Sequence, residues 1–129
     1  MLIGYAYVVC DILHVGHLLH LENCSAFCDK LIVGVLTDEA AMEKKPRPTM
    51  PFSDRLRLVG ALRCVSAAVP QKTYLPLDNI LEIKPDILFE CPEHEVKRYA
   101  EFDGRIIVLP RYPHLLKSSA HIKEKIRGE

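Results

Sequence analysis

Apolar residues are distributed along this chain in two alternating patterns. Short unbroken runs rich in β-branched and aromatic residues, over Leu2–Cys10 and Leu31–Leu36, predict buried strands. Between them, Val15–Cys28 carries apolar residues at steps of three and four positions, which predicts a helix with one buried face. The chain therefore begins with a strand–helix–strand pattern.

The same two patterns continue along the rest of the chain. Short apolar runs predict further strands over residues 65–69, 85–89 and 105–109. Helices are expected from a Thr37 or Asp38 cap to Met42, after a Ser53 cap, over residues 77–83, and after Ser118 or Ser119. Alternating strands and helices with short connections predict an α/β fold, in which helices cover both faces of a parallel sheet.

The length of 129 residues fits one domain, which we expect to span residues 1–129. The 17 Lys and Arg residues balance the 17 Asp and Glu residues. The basic excess typical of nucleic-acid-binding proteins is therefore absent, and no nucleic-acid partner is expected. No apolar run approaches the roughly 18 residues of a membrane span, and no signal peptide is expected.

The five cysteines are an odd number, and several lie in apolar runs: Cys10, Cys24, Cys28, Cys64 and Cys91. We expect reduced thiols in a cytoplasmic protein rather than disulfides. Cys24 and Cys28 share a face if the helix continues through both. There they are either small core residues or half of a metal or redox site.

Candidate functional residues follow the strands, at the edge where parallel sheets bind ligands. Asp11, His14, Gly16 and His17 fall between the first strand and the first helix. A helix N-terminus attracts anions, two imidazoles add donors, and a glycine lets a phosphate approach closely. These residues predict a phosphate site for phosphoryl transfer, which needs mainly positioning and charge stabilisation. Two other interpretations are open: zinc ligation with His20 as a third ligand, or polar residues that simply begin a helix.

The motif Asp11-Ile-Leu-His14-Val-Gly-His17 resembles the HxGH motif of the cytidylyltransferase-like nucleotidyltransferase family. Six further stretches resemble the family's motifs in the same order and cover nearly the whole chain. They are Leu31–Val35 with Thr37-Asp38-Glu39, Lys44-Lys45-Pro46-Arg47-Pro48, Asp54-Arg55-Leu56, Arg63-Cys64-Val65 before Val69-Pro70, Lys84-Pro85-Asp86, and Pro110-Arg111 before Ser118-Ser119. In length the chain is similar to glycerol-3-phosphate cytidylyltransferases and to related phosphonate cytidylyltransferases.

The resemblance implies a fold and a reaction. The fold is a Rossmann-like, doubly wound, five-stranded parallel sheet with strand order 3-2-1-4-5. The reaction is transfer of CMP from CTP, with Mg²⁺, to a small phosphorylated or phosphonylated alcohol, with release of pyrophosphate. A homodimer and a place in phospholipid, cell-wall or phosphonate biosynthesis are implied as well.

The resemblance also implies roles for individual residues. His14, His17, Lys44 and Arg111 would be catalytic, and Lys44, Lys45 and Arg63 would bind the acceptor. Asp11 would orient the loop and ligate Mg²⁺. The nucleotide would be bound by Val8, Val9, Cys10, Asp11, His14, Gly16, His17, Glu90, Arg111, Ser118 and Ser119.

Several of these residues have a simpler structural interpretation. The cations from Lys44 to Arg47 could belong to a solvated loop. Arg55 is interpreted as one half of a structural ion pair with Asp38 or Glu39. Arg63 could be the exposed end of a helix.

Three departures from the family's motifs keep other functions open. Val8 stands where the family has glycine, residues 90–94 replace a Gly-Asp-Asp-like turn, and the motif from Arg111 to Ala120 is longer and lacks its glycine. The alternatives are an adenylyltransferase that uses ATP on a small phosphate ester and a non-catalytic nucleotide-binding module. The chain could also be one domain of a longer bifunctional protein.

Overall fold

The computed structural model describes residues 1–92 and 99–110. The described strands are β1 (Ile3–Val8), β2 (Lys30–Leu36), β3 (Ala67–Gln71), β4 (Ile87–Glu90) and β5 (Arg105–Val108). The described helices are α1 (Val15–Ser25), α2 (Asp38–Met42), α3 (Phe52–Gly60) and α4 (Leu77–Ile83). The helix expected after Ser118 or Ser119 lies outside the described residues.

All five strands pair in one parallel sheet with the order β3-β2-β1-β4-β5, which confirms the predicted α/β fold and strand order. The chain first builds outward from β1 through β2 to β3, and then continues on the other side of β1 with β4. The order therefore reverses between β1 and β4. Sheets of this kind bind ligands outside the carboxyl ends of the strands at such a reversal.

Residues of β1 alternate between two cores, one on each face of the sheet. Ala6 belongs to the larger core, which also contains Leu21 of α1 and Val59 of α3. Tyr5 belongs to the smaller core, with Ile80 of α4. A third apolar cluster forms around α2 at the carboxyl edge, where Leu36, Ala40 and Ala41 pack with Tyr7, Val9 and Tyr74.

Several element boundaries differ from the sequence-based expectation. β1 spans Ile3–Val8 rather than Leu2–Cys10, and β4 spans Ile87–Glu90 rather than residues 85–89. α3 begins at Phe52 after Pro51 and has no side-chain cap, so Ser53 lies within its first turn. The ring of Pro51 fixes φ near the helical value, which starts the helix without a capping side chain. β3 begins at Ala67 rather than at residue 65, and α1 ends at Ser25, before Cys28. No helix among the described residues has the length and apolar character needed to span a bilayer.

Candidate active site

The turn after β1 contains two residues with left-handed backbone. Cys10 has φ 54° and Ile12 has φ 57°, a conformation that is strained for residues with a bulky side chain. Asp11 lies between them and is buried. Its carboxylate oxygens accept hydrogen bonds from the backbone N–H groups of Thr49, at 2.8 Å, and Met50, at 2.9 Å. The strained turn therefore holds Asp11 against the end of the basic loop, the segment between α2 and α3 that contains Lys44, Lys45 and Arg47.

His14 and His17 hold each other at the start of α1. His14 is the N-cap residue, and its Nδ1 atom accepts a hydrogen bond from Gly16 N at 3.0 Å. His17 Nδ1 accepts from His14 N at 3.1 Å, and the two ring centroids are 4.1 Å apart. An amide N–H can only donate, so neither Nδ1 carries a proton. The ring proton of each neutral histidine is therefore on Nε2, which makes each Nε2–H a donor, and the Nε2 atom of His14 is buried.

Gly16 makes room for the ring of His14. A Cβ atom at this position would lie 2.7 Å from His14 Cε1 and 2.9 Å from His14 Nδ1, closer than real contacts allow. The sequence-based interpretation assigned this glycine to the approach of a phosphate. In the structure, the absence of a side chain at Gly16 leaves the space that the His14 ring occupies.

Arg55 is fully buried and connects four segments at the carboxyl edge of the sheet. Its guanidinium donates to the backbone oxygens of Val9 at 2.8 Å, Leu36 at 2.7 Å and Met50 at 3.0 Å, and to the Asp38 carboxylate at 2.6 Å. The interpretation of Arg55 as a structural ion-pair partner is confirmed, with Asp38 as the partner. The same side chain also joins the ends of β1 and β2 to the loop before α3.

The basic loop between α2 and α3 exposes its cations to solvent. Lys44, Lys45 and Arg47 are all exposed, and Arg47 lies 3.8 Å from Asp38. Lys44 Nζ lies 5.8 Å from the centroid of the Tyr74 ring. Sequence reasoning did not single out Tyr74. The available signal was its position just after β3, at the same edge of the sheet as the loop after β2.

The end of β4 is joined to β1 by a partly buried hydrogen bond. Glu90 accepts from the Tyr7 hydroxyl, at 2.9 Å and 2.7 Å to its two carboxylate oxygens. Burial, followed by the neighbouring Glu90 charge, raises the pKa of the Tyr7 hydroxyl, so that it remains a donor. Sequence reasoning expected Glu90 to contact the nucleoside. In the structure its side chain is buried and bonded to Tyr7.

The predicted nucleotide-binding residues at the end of β1 and just after it pack into two different apolar clusters. Val8 packs against the larger core and Val9 against the cluster at α2. The Cys10 thiol is buried, and burial raises its pKa from 9.0 to about 12. Cys10 can therefore meet a nucleotide only through its main chain.

The structure does not bring Arg63 to the histidines. Arg63 is exposed and follows α3, close to Ser66, whose N–H donates to Leu31 O near the start of β2. This is the amino edge of the sheet, opposite the edge that carries His14. Arg111, Ser118 and Ser119 lie outside the described residues.

The carboxylates of this edge already have protein partners, and ligation of Mg²⁺ by Asp11 stays a prediction, since Mg²⁺ that arrives with a triphosphate needs only one or two carboxylates. Asp11 holds two backbone N–H groups and Asp38 holds Arg55, and no three His, Cys, Asp or Glu residues in ranges 1–92 and 99–110 are arranged to hold a metal ion. The alternative zinc site at His14, His17 and His20 is not supported by that result. His20 instead lies with Nε2 3.8 Å from Cys24 Sγ. All five cysteines are free thiols in the structure.

Paired imidazoles at a helix start, beside the reversal point of a parallel sheet, are typical of α/β proteins that bind nucleotides. A family model described as Cytidylyltransferase-like matches residues 9–121, and the chain belongs to this family of nucleotidyltransferases. The family resemblance and the enzyme class predicted from sequence are thereby confirmed.

Two similar curated proteins of nearly the same length are named FAD synthase. The protein of Methanoculleus marisnigri is 38% identical over 125 residues, which cover 90% of this chain and 83% of that protein. The protein of Methanothrix thermoacetophila is 35% identical over 128 residues, covering 92% and 89%. The Bifunctional protein HldE of Aeromonas hydrophila is 38% identical over 96 residues, covering 70% of this chain but 20% of that protein.

Solved structures share the fold. The lipopolysaccharide core biosynthesis protein from Thermoplasma volcanium superposes with a TM-score of 0.80 at 26% identity, covering 88% of this chain and 99% of that one. A NadR protein in complex with NAD and AMP-PNP superposes with a TM-score of 0.62 at 13% identity, covering 98% and 42%, which supports the fold alone.

Proposed function

We propose that this enzyme transfers AMP from ATP to the phosphate of flavin mononucleotide (FMN), forming FAD and pyrophosphate. The observation that carries this proposal is the similarity to two FAD synthases, of which the chain covers 83% and 89%. The adenylyl alternative thus takes precedence over the CTP-dependent reaction expected from the sequence.

The reaction is an in-line displacement at phosphorus. An oxygen of the FMN phosphate attacks the α-phosphorus of ATP, and a new P–O bond forms. The bond from the α-phosphorus to the bridging oxygen breaks, and its electron pair leaves with pyrophosphate. Catalysis requires that the two phosphates be aligned and that charge on the transferred group be stabilised, so no nucleophilic side chain is needed.

The described residues divide these tasks. His14 and His17 would donate through Nε2–H to the oxygens of the α-phosphate, where negative charge increases in the transition state. Lys44 and Lys45 would bind the acceptor phosphate from the basic loop. Asp11 and Arg55 keep the turn after β1 and the basic loop in place through the main-chain contacts given above. Arg111, Ser118 and Ser119 remain proposed ligands of the β- and γ-phosphates.

The surroundings of Lys44 support an acceptor with a planar ring. Tyr74 is partly exposed at this edge and Lys44 lies over its ring. Lys44 is exposed and flexible, so its ammonium group can leave the ring for a phosphate. A flavin ring can then take its place over Tyr74, since stacked aromatic rings attract each other. A small phospho-alcohol has no group that would use this surface.

The second candidate is transfer of CMP from CTP to a small phospho-alcohol or phosphonate. The observation in its favour is the description of the matching family as Cytidylyltransferase-like. The two candidates use the same chemistry at the α-phosphorus and differ only in base and acceptor.

Pyrophosphate release with four substrate pairs separates these functions. ATP and CTP are each combined with FMN and with glycerol 3-phosphate, in the presence of Mg²⁺. We expect pyrophosphate with ATP and FMN, a product with the mass of FAD, and a loss of turnover of at least about a hundredfold in His17→Ala. Release with CTP and glycerol 3-phosphate would instead establish the second candidate. Binding of a nucleotide without release in any pair would indicate a non-catalytic module.

A further inference from the structure

A chain of hydrogen bonds, buried at its centre, runs through the smaller core from α4 to the turn after β3. Asn79 Nδ2 donates to the Tyr5 hydroxyl at 2.8 Å, and that hydroxyl donates to Gln71 Oε1 at 2.6 Å. Gln71 Nε2 then donates to the backbone oxygens of Thr73 and Tyr74, both at 3.1 Å. Tyr5 and Gln71 are both fully buried.

Each group in this chain of bonds has a fixed direction. Burial raises the pKa of the Tyr5 hydroxyl, so it keeps its proton and remains a donor. Both carbonyls reached by Gln71 can only accept, so its Nε2 must face them. A rotated amide would place Oε1 against two carbonyl oxygens and lose the bond from Tyr5. The Gln71 side chain therefore has one orientation, and it specifies one conformation of the turn.

The sheet contains a glycine that makes this arrangement possible. A Cβ atom at Gly34, in the middle of β2, would overlap the hydroxyl of Tyr5 and lie 2.9 Å from Gln71 Oε1. A glycine within a strand weakens it, and buried polar groups are costly unless all are bonded. A purely apolar packing would avoid both costs. The costs of this polar arrangement are therefore matched by a gain that apolar packing would not give, which is a fixed orientation of the Gln71 side chain.

The turn held by Gln71 continues to the basic loop. Tyr74 N–H donates to Glu43 Oε2 at 3.1 Å, and Glu43 is the residue before Lys44. Both peptide groups of Tyr74 are therefore held, one by Gln71 and one by Glu43. The ring between them lies beside Lys44.

We infer that Gln71 is a positioning residue for acceptor binding. It fixes the Thr73–Tyr74 turn, so that the Tyr74 ring holds one position toward the acceptor beside Lys44. This inference rests on the proposed function, which places the acceptor at Lys44 and Tyr74. Gln71 itself touches no substrate.

The test compares Gln71→Met, which keeps the side-chain length without the amide, with wild type and with Tyr5→Phe. Ser66→Ala is the matched control, because Ser66 Oγ accepts a main-chain hydrogen bond from Leu31 just before β3, at the opposite edge. In Gln71→Met we expect the KM for FMN and its Kd, measured by flavin fluorescence, to rise about three- to tenfold. The kcat and the KM for ATP remain unchanged. Tyr5→Phe shows the same pattern to a smaller degree, and Ser66→Ala does not.

Other results would overturn the inference. A lower Tm in Gln71→Met with all kinetic constants unchanged would make Gln71 a core residue only, and a rise in the KM for ATP would assign the turn to the nucleotide. If Gln71→Met does not fold, Tyr5→Phe gives the same comparison. If wild type uses glycerol 3-phosphate instead of FMN, the proposed acceptor is wrong, and the KM for glycerol 3-phosphate in the same variants tests Gln71. A wild-type chain that neither binds FMN nor transfers to any acceptor would overturn both.

Discussion

The hydrogen bonds at the Nδ1 atoms of His14 and His17 determine which nitrogen of each ring carries the proton. Nδ1 of His14 and of His17 is used within the first turn of α1, and this leaves Nε2–H of each ring as a donor. The spacing of the two histidines, and the helix after them, were evident from the sequence. The reason for Gly16 was not, because it depends on the rotamer of His14 and not on a pattern along the chain.

Replacement of Gly16 tests this arrangement. In Gly16→Ala the new methyl group pushes the His14 ring aside, so we expect kcat to fall at least about tenfold. Stability should change by no more than about 1 kcal/mol, since alanine favours the helix while the His14 cap is weakened. Steady-state kinetics and urea unfolding measure the two effects.

Gly60→Ala is the matched control for this glycine. Gly60 is also in a helix, but a Cβ atom there would meet Ala68 Cβ at an ordinary 3.5 Å. The activity of Gly60→Ala should equal that of wild type. Equal activity in Gly16→Ala would mean that the position of the His14 ring does not matter for turnover.

At the level of elements, Arg55 joins the paired ends of β1 and β2 to the start of α2 and to the loop before α3. Its five donors form a planar group that reaches several oxygens at once, which the single ammonium of lysine does not reproduce. In Arg55→Lys some of the buried oxygens lose their partner. We expect a loss of about 3 kcal/mol in the free energy of unfolding, measured in urea.

Arg57→Lys provides the comparison for Arg55→Lys. Arg57 lies on the same helix, α3, but is exposed, so the same change there should alter stability by less than about 0.5 kcal/mol. If the two variants are equally stable, the guanidinium of Arg55 contributes no more than a surface charge.

Element boundaries and edges were predicted unevenly. Helix 77–83 was predicted with its observed bounds, because its apolar spacing and the turn residues before it agree. Arg63 was assigned to the acceptor by resemblance, although a residue between the end of a helix and the start of the next parallel strand lies at the amino edge. The alternation of strands and helices therefore already contained the information needed to place it.

At the scale of the whole molecule, buried thiols lower the free energy of unfolding at alkaline pH. Burial raises the pKa of Cys10 and of Cys24 from 9.0 to about 12. Above pH 9 the unfolded chain loses these protons first, so it is favoured increasingly until the folded thiols ionise as well. The free energy of unfolding should therefore be constant with respect to these groups below about pH 8 and fall as the pH rises from 9 toward 12.

Urea unfolding at a series of pH values measures this effect. Cys10→Ala should reduce the slope between pH 9 and 11, because one buried thiol is removed. Alkylation at pH 8, followed by mass spectrometry, should leave Cys10 and Cys24 unmodified in the native protein and modify them in urea. A stability curve that is flat up to pH 11 would contradict the burial of these thiols as ionisable groups.

The overall architecture was predictable because each strand is a separate apolar run and each helix has its own buried face. The contacts that surround the candidate site were less predictable. Residues such as Glu90 and Tyr74 acquire their role from contacts between segments far apart in sequence, Glu90 with Tyr7 and Tyr74 with Glu43. Such contacts leave no periodic pattern in the chain.

Arg55 also sets an order of assembly. The oxygens that its guanidinium binds belong to Val9, Leu36, Asp38 and Met50, and all of them precede it in the sequence. A chain synthesised from its N-terminus therefore exposes every acceptor before the cation that joins them exists. The ends of β1 and β2 are joined to α2 and to the loop before α3 only once α3 has been made, which is later than the synthesis of these two strands but earlier than that of β4 and β5.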